Sequence, residues 1–121
     1  MVKRTVLIVE DDQSLVTLLS RALEANHFKV HLALDAERGF RDAKRQPPSL
    51  IILDVMLPGM DGFHCLEKLK SDPATKRIPV IILSNLGQSE EVQQALALGA
   101  ADYVVKADFT IAQVIDKIKR Y

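Results

Sequence analysis

Short apolar runs alternate along this chain with stretches in which apolar residues return every three or four positions. The first run is Thr5-Val6-Leu7-Ile8-Val9. Residues 13–25 then place Leu15, Leu18, Leu19, Ala22 and Leu23 at the spacing of a helix with one buried face. Residues 28–33 set Phe28, Val30 and Leu32 against Lys29 and His31, which predicts a strand. A second helix starts near Ala36, turns Ala36, Phe40 and Ala43 inward, and is stopped by Pro47-Pro48, which cannot donate to a helical ladder. The run Ser49-Leu50-Ile51-Ile52-Leu53 ends abruptly in Asp54, then breaks into a loop containing Pro58-Gly59 and Asp61-Gly62. Such a run, bounded by turn residues, reads as a strand buried on both faces. Residues 61–70 form a third helix with Phe63, Leu66 and Leu69 inward, ended by Ser71-Asp72-Pro73. Residues 78–83 form a fourth strand, 89–98 a helix closed by Gly99, 101–105 a fifth strand, and 110–120 a helix with Ile111, Val114, Ile115 and Ile118 inward.

Strands alternating with helices predict a parallel sheet covered on both faces, an α/β fold. The first, third and fourth strands are apolar throughout and belong in the middle; the second and fifth carry polar residues and belong at the edges. A right-handed, doubly wound (βα)5 sheet of order 2-1-3-4-5, the flavodoxin-like arrangement, meets both conditions. Its switch point lies between the first and third strands, where ligands bind beyond the carboxyl ends, and Asp54 stands there.

Composition adds limits. With 121 residues and 48% of them apolar, the chain reads as one domain, residues 1–121, able to bury a core without staples. Sixteen Lys and Arg balance sixteen Asp and Glu, which argues against nucleic-acid binding. Cys65 is the only cysteine, so no internal disulfide forms and a reducing, cytoplasmic setting is expected. The basic start and the run after it are too short for a signal peptide, and no apolar run reaches transmembrane length.

The residues just beyond the strands carry the chemistry. Glu10, Asp11 and Asp12 come after the first, Asp54 after the third, Ser84 and Asn85 after the fourth, and Lys106 after the fifth. In the predicted topology these side chains meet at one sheet edge. Clustered carboxylates raise one another's pKa unless a cation relieves them, and Mg²⁺ suits one or two carboxylates plus phosphoryl oxygens. Asp54 can then act as a nucleophile forming an acyl phosphate, with the metal, Lys106 and the Ser84 hydroxyl each taking one phosphoryl oxygen. Singly, Asp11, Asp12 or Asp61 would be a helix cap and Lys106 a solvated strand end. Together they describe a site. His27 and His31, four apart on a predicted strand, are too far separated for one metal, Cys65 reads as packing, and no Walker or dinucleotide glycine spacing occurs.

From Thr5 to about Lys119 the chain resembles the receiver domain of two-component response regulators, of which the chemotaxis regulator is the minimal example. Val9-Glu10-Asp11-Asp12 resembles the family's acidic pair, and Leu53-Asp54-Val55-Met56-Leu57-Pro58-Gly59-Met60-Asp61-Gly62 its phosphoacceptor segment. The resemblance implies that Asp54 accepts a phosphoryl group from a histidine kinase or phosphotransfer protein. It implies Mg²⁺, or Mn²⁺, held by Asp11, Asp54 and the Met56 backbone carbonyl, with Glu10 acting through water. Ser84 and Tyr103 would be the switch pair and Lys106 the phosphate-binding lysine. The kinase would dock near Gln13 and Ser14, and output would pass through the fourth helix, fifth strand and fifth helix. The chain would catalyse only its own phosphorylation and dephosphorylation, as a monomer or a phosphorylation-dependent dimer, without touching nucleic acid or membrane. Since it ends at Tyr121, output is expected to be a protein contact or onward phosphotransfer.

Two positions depart from the family. Ala107 follows Lys106 where proline is common, which predicts a trans bond there. Asn85 follows Ser84 where a small residue is usual, which predicts altered access for phosphodonor or water. Two other classes compete. A haloacid-dehalogenase-like phosphatase would carry an acid where Met56 stands, and a phosphorylation-independent interaction module would not need Asp11, Asp54, Ser84 and Lys106 together.

Overall fold

The computed structural model describes residues 3–56 and 61–121. Five parallel strands, β1 (Thr5–Val9), β2 (Lys29–Ala33), β3 (Leu50–Leu53), β4 (Val80–Ser84) and β5 (Asp102–Val105), form one sheet of order β2-β1-β3-β4-β5. The helices are α1 (Gln13–Ala25), α2 (Ala36–Arg45), α3 (Gly62–Ser71), α4 (Ser89–Ala97) and α5 (Ile111–Ile118). This is the flavodoxin-like α/β fold expected from the alternation of runs.

Alternation along each strand divides the core in two. Val6, Ile8, Leu50, Ile52, Ile81, Leu83 and Val104 face Val16, Leu19 and Leu23 of α1 and Val114, Ile115 and Ile118 of α5. Leu7, Val9, Ile51, Leu53, Val80, Ile82 and Tyr103 face α2, α3 and α4 through Ala36, Ala43, Cys65, Leu66, Leu69 and Ala95. Each fully buried Leu or Ile contributes about 1.5–3 kcal/mol, so the central strands anchor the molecule.

Besides the start of β4, which falls at Val80 instead of Ile78, three expectations need correction. The apolar spacing puts Leu18 on the inward face of α1, yet it is 54% exposed while Val16 is 4% exposed. The sheet-facing arc is Val16, Leu19 and Leu23, with Leu15 and Ala22 at its margin, and Leu18 falls one step further round. Leu32 is likewise exposed, on β2 at the edge of the sheet. His27 lies outside the strand, in a turn with φ 69°.

That turn closes α1. The His27 N–H donates to the Glu24 carbonyl (3.1 Å) and the Phe28 N–H to that of Leu23 (3.0 Å), the paired bonds of a Schellman motif. Gly99, φ +107°, closes α4 in the same way, its N–H donating to Leu96 (3.1 Å) and that of Ala100 to Ala95 (3.0 Å). Histidine occupies a left-handed position that glycine adopts without Cβ strain. His27→Gly is therefore expected to stabilise the fold by about 0.5–1 kcal/mol, read as a higher urea midpoint. An unchanged or lower midpoint would contradict this.

Cys65 is fully buried, as its packing role required, and its Sγ contacts the Ala36 carbonyl oxygen at 3.6 Å. Burial pushes the thiol up to about 12, with a small opposing pull from Lys68. The unfolded thiol ionises near ~8.5, so the stability held in the neutral thiol is present below that pH and is lost as pH rises toward 12. At pH ~8 iodoacetamide should modify Cys65 only at the rate of unfolding. Rapid modification of the native protein would refute this.

Candidate functional site

The sheet delivers the site residues by continuing its ladder past the strand ends. The Glu10 N–H donates to the Ala33 carbonyl and the Asp54 N–H to that of Val9, both at 3.1 Å. Both carboxylates are therefore fixed by backbone at the switch point between β1 and β3. Glu10 and Asp54 are buried, and Asp11 beside them is exposed. Oxygens of Glu10, Asp11 and Asp54 lie within 4.8 Å of one another. An all-oxygen set open on the Asp11 side suits a hard divalent cation that keeps some of its water. Asp12 is the α1 N-cap, its Oδ1 accepting from the Ser14 and Leu15 N–H groups at 3.1 and 3.3 Å. The acidic run thus splits into two carboxylates grouped with Asp54 and a helix cap.

Lys106 reaches across from the far side. Its Nζ lies 3.0 Å from Asp54 Oδ2 and 3.1 Å from Glu10 Oε2. The Met56 N–H holds Asp54 Oδ1 at 2.9 Å, so both carboxylate oxygens are oriented. Burial and the Asp54 charge push Glu10 up to about 7, although Lys106 and the Asp12 N–H pull it down. Burial opposes the Lys106 charge, yet the hydrogen bonds and charges of Asp54 and Glu10 prevail and hold the ammonium above its ordinary range.

Ser84 is the last residue of β4, two positions beyond Ile82, where pairing with β3 ends. It is fully buried, and its Oγ accepts the Leu86 N–H at 3.2 Å. Tyr103 on β5 is buried and its hydroxyl donates to the Leu86 carbonyl at 2.6 Å. Burial raises the Tyr103 hydroxyl above its ordinary range; a hydrogen bond with Ser84 offsets this in part, and the Glu91 and Asp54 charges add to it. Lys106 opens a single 3₁₀ turn, Lys106–Asp108, which the sequence did not announce, and the bond to Ala107 is trans, as expected. Asn85 is exposed. Leu57, Pro58, Gly59 and Met60 of the segment expected to carry the phosphoacceptor lie outside the described residues. The Leu86 carbonyl and Met56 N–H are backbone partners that side-chain reading could not find.

A family model for the response regulator receiver domain matches residues 6–119. The chain belongs to that family. Receiver domains of this family are modules of phosphorylation-activated two-component signalling, not classical enzymes, and they work with histidine kinases and downstream effectors. It is 41% identical over 101 residues to the response regulator PleD of Caulobacter vibrioides, covering 84% of this chain and 22% of that protein. It is 37% identical to the phosphate regulon regulator PhoB of Rhizobium meliloti, covering 94% of this chain and 50% of that protein. The chain thus spans half the length of such curated relatives or less. Among solved structures, the chemotaxis response regulator CheY4 of Vibrio cholerae superposes with a TM-score of 0.90 at 26% identity over 98% of both chains. The receiver domain of the sensor histidine kinase PA1611 from Pseudomonas aeruginosa, solved with a magnesium ion coordinated in its active-site cleft, gives 0.89 at 26% identity over 99% of this chain and 98% of that one. No helix among the described residues is long and apolar enough to cross a membrane.

Proposed function

We propose that Asp54 of this receiver accepts the phosphoryl group of a phosphohistidine on a histidine kinase or phosphotransfer protein. The observation that carries the reading is the convergence on Asp54 of Lys106 at 3.0 Å, the Met56 N–H at 2.9 Å and the Glu10 and Asp11 carboxylates within 4.8 Å. A carboxylate oxygen of Asp54 attacks phosphorus, the P–N bond breaks, and the donor imidazole keeps the electron pair. Lys106, already beside Asp54, follows one phosphoryl oxygen. Asp11, Asp54 and the Met56 carbonyl would hold Mg²⁺ or Mn²⁺, with Glu10 acting through water. The bound ion supplies positive charge for a group bearing negative charge on three oxygens.

Ser84 and Tyr103 form the switch in this reading, supported by their shared attachment to Leu86, the Ser84 Oγ on its N–H and the Tyr103 hydroxyl on its carbonyl. The α4–β5–α5 face carries the output, and phosphorylation changes its preference for a protein partner or a second copy. The chain catalyses only its own phosphorylation and dephosphorylation. The cytoplasm supplies both a phosphodonor and a reducing setting for Cys65, and no nucleic-acid contact by residues 1–121 is expected from the balanced charge.

Intact mass after incubation with acetyl phosphate tests the reading. Mg²⁺ should permit a gain of one phosphoryl group, and Asp54→Asn should abolish it. No gain, with rapid hydrolysis excluded by absence of beryllofluoride binding, would favour a module that works without phosphorylation.

A further inference from the structure

We propose that Glu91 provides a second seat for the Tyr103 hydroxyl, so that the ring's choice between Leu86 and Glu91 couples β5 to the first turn of α4. This rests on the reading of Tyr103 as a switch residue and deepens it.

Glu91 is the third residue of α4 and stands one turn before Ala95, which is fully buried, so it shares the inward face of the helix. Its Oε2 is shielded from solvent and has no hydrogen-bond partner among the described residues. A shielded carboxylate oxygen without a donor is costly, and such exceptions ask for a role. Helix capping leaves that role open. Glutamate at this position often belongs to a reciprocal cap, yet Gln88 at the α4 N-cap makes no side-chain bond. By contrast, Thr110 and Gln113 close α5 reciprocally.

Tyr103 lies on the sheet face that α4 covers and carries one hydroxyl proton, which it gives to the Leu86 carbonyl at 2.6 Å. The Glu91 charge acts on that hydroxyl, adding to the effect of burial. One proton and two acceptors make a two-state element. In the Leu86 seat the ring ties β5 to the segment preceding α4. In the Glu91 seat it releases that segment and bonds α4 itself, through a charge-assisted bond. Glu91 is a positioning residue for the output face.

The chain has two tyrosines, so 3-fluorotyrosine in a Tyr121→Phe background reports Tyr103 alone. Fluorine spectra with Mg²⁺, with and without beryllofluoride, are compared for Glu91, Glu91→Gln and Glu91→Ala, and phosphoryl uptake from acetyl phosphate is measured by mass in each. Beryllofluoride should shift the Tyr103 resonance in the parent. The shift should be roughly halved or smaller in both variants, because both lose the charged acceptor, while uptake stays within about twofold. A merely structural Glu91 would alter stability and leave the resonance response intact. An unchanged shift in the near-isosteric Glu91→Gln protein overturns the proposal even if Glu91→Ala does not fold. Parent protein that takes up no phosphoryl group overturns the phosphoacceptor reading first, and this proposal with it.

Discussion

Gly62→Ala is expected to destabilise the fold by about 3 kcal/mol and to slow phosphoryl uptake beyond what the loss of folded protein explains. A Cβ at position 62 would lie 2.2 Å from Val55 Cα, 2.6 Å from the Asp54 carbonyl oxygen and 2.8 Å from the Val55 carbonyl carbon. All three are backbone atoms, so no side chain can swing aside. Retreat of residue 62 is resisted by its own N–H, which donates to the Val55 carbonyl at 3.1 Å. Relief must therefore come from the chain that carries Asp54. Displacing a reacting group by about 1 Å can cost roughly 10²-fold in rate. The checks are a urea midpoint and the uptake rate per folded molecule, and parental values for both would show that the contact is not limiting.

Lys106→Met should do the next greatest damage, with a pH dependence of definite sign. Removing the ammonium leaves Glu10 and Asp54 facing each other, both buried, where Nζ now stands 3.1 and 3.0 Å from them. Breaking a buried ion pair from one side typically costs about 3–5 kcal/mol, and because Lys106 keeps some exposure a loss of about 2 kcal/mol at pH ~8 is expected in EDTA. Glu10 already stands near 7, so as pH falls it takes up a proton, the repulsion fades and the loss should be smaller at pH ~6. Mg²⁺ should restore more stability to this variant than to the parent, because no ammonium competes for the carboxylates. Phosphoryl uptake should fall by about 10²-fold. Urea melts at the two pH values, with and without Mg²⁺, decide the matter, and equal losses at both would mean that repulsion is not the cause.

The topology was legible because apolar runs without interruption have one place in a parallel sheet, and Leu50–Leu53 and Val80–Ser84 took it. The meeting of Glu10, Asp54 and Lys106 was legible because strand ends in such a sheet share an edge. The helix phase at Leu18 was not. Two overlapping leucine arcs satisfy the same periodicity, and only packing against the sheet and α5 selects one. His27 reads as part of a strand because a Schellman turn is usually signalled by glycine. The start of β4 moves from Ile78 to Val80 because Pro79 has no N–H for the ladder. Glu91 carries a signal that periodicity alone passes over, an acid on the same helical face as Ala95.

The end of the β3–β4 ladder at Leu53 and Ile82 has a mechanical meaning. Beyond it the sheet opens along a seam. Glu10 and Asp54 remain stitched to β1 and β2 on one bank, while Ser84 stays paired to Val105, next to Lys106, on the other. Between the described tips of the two banks, the Lys106 ion pairs are the clasp. If Asp54 takes up a charged group as proposed, the pull falls on a bank that can yield, and displacement is expected toward β5 and α4 rather than back toward β2.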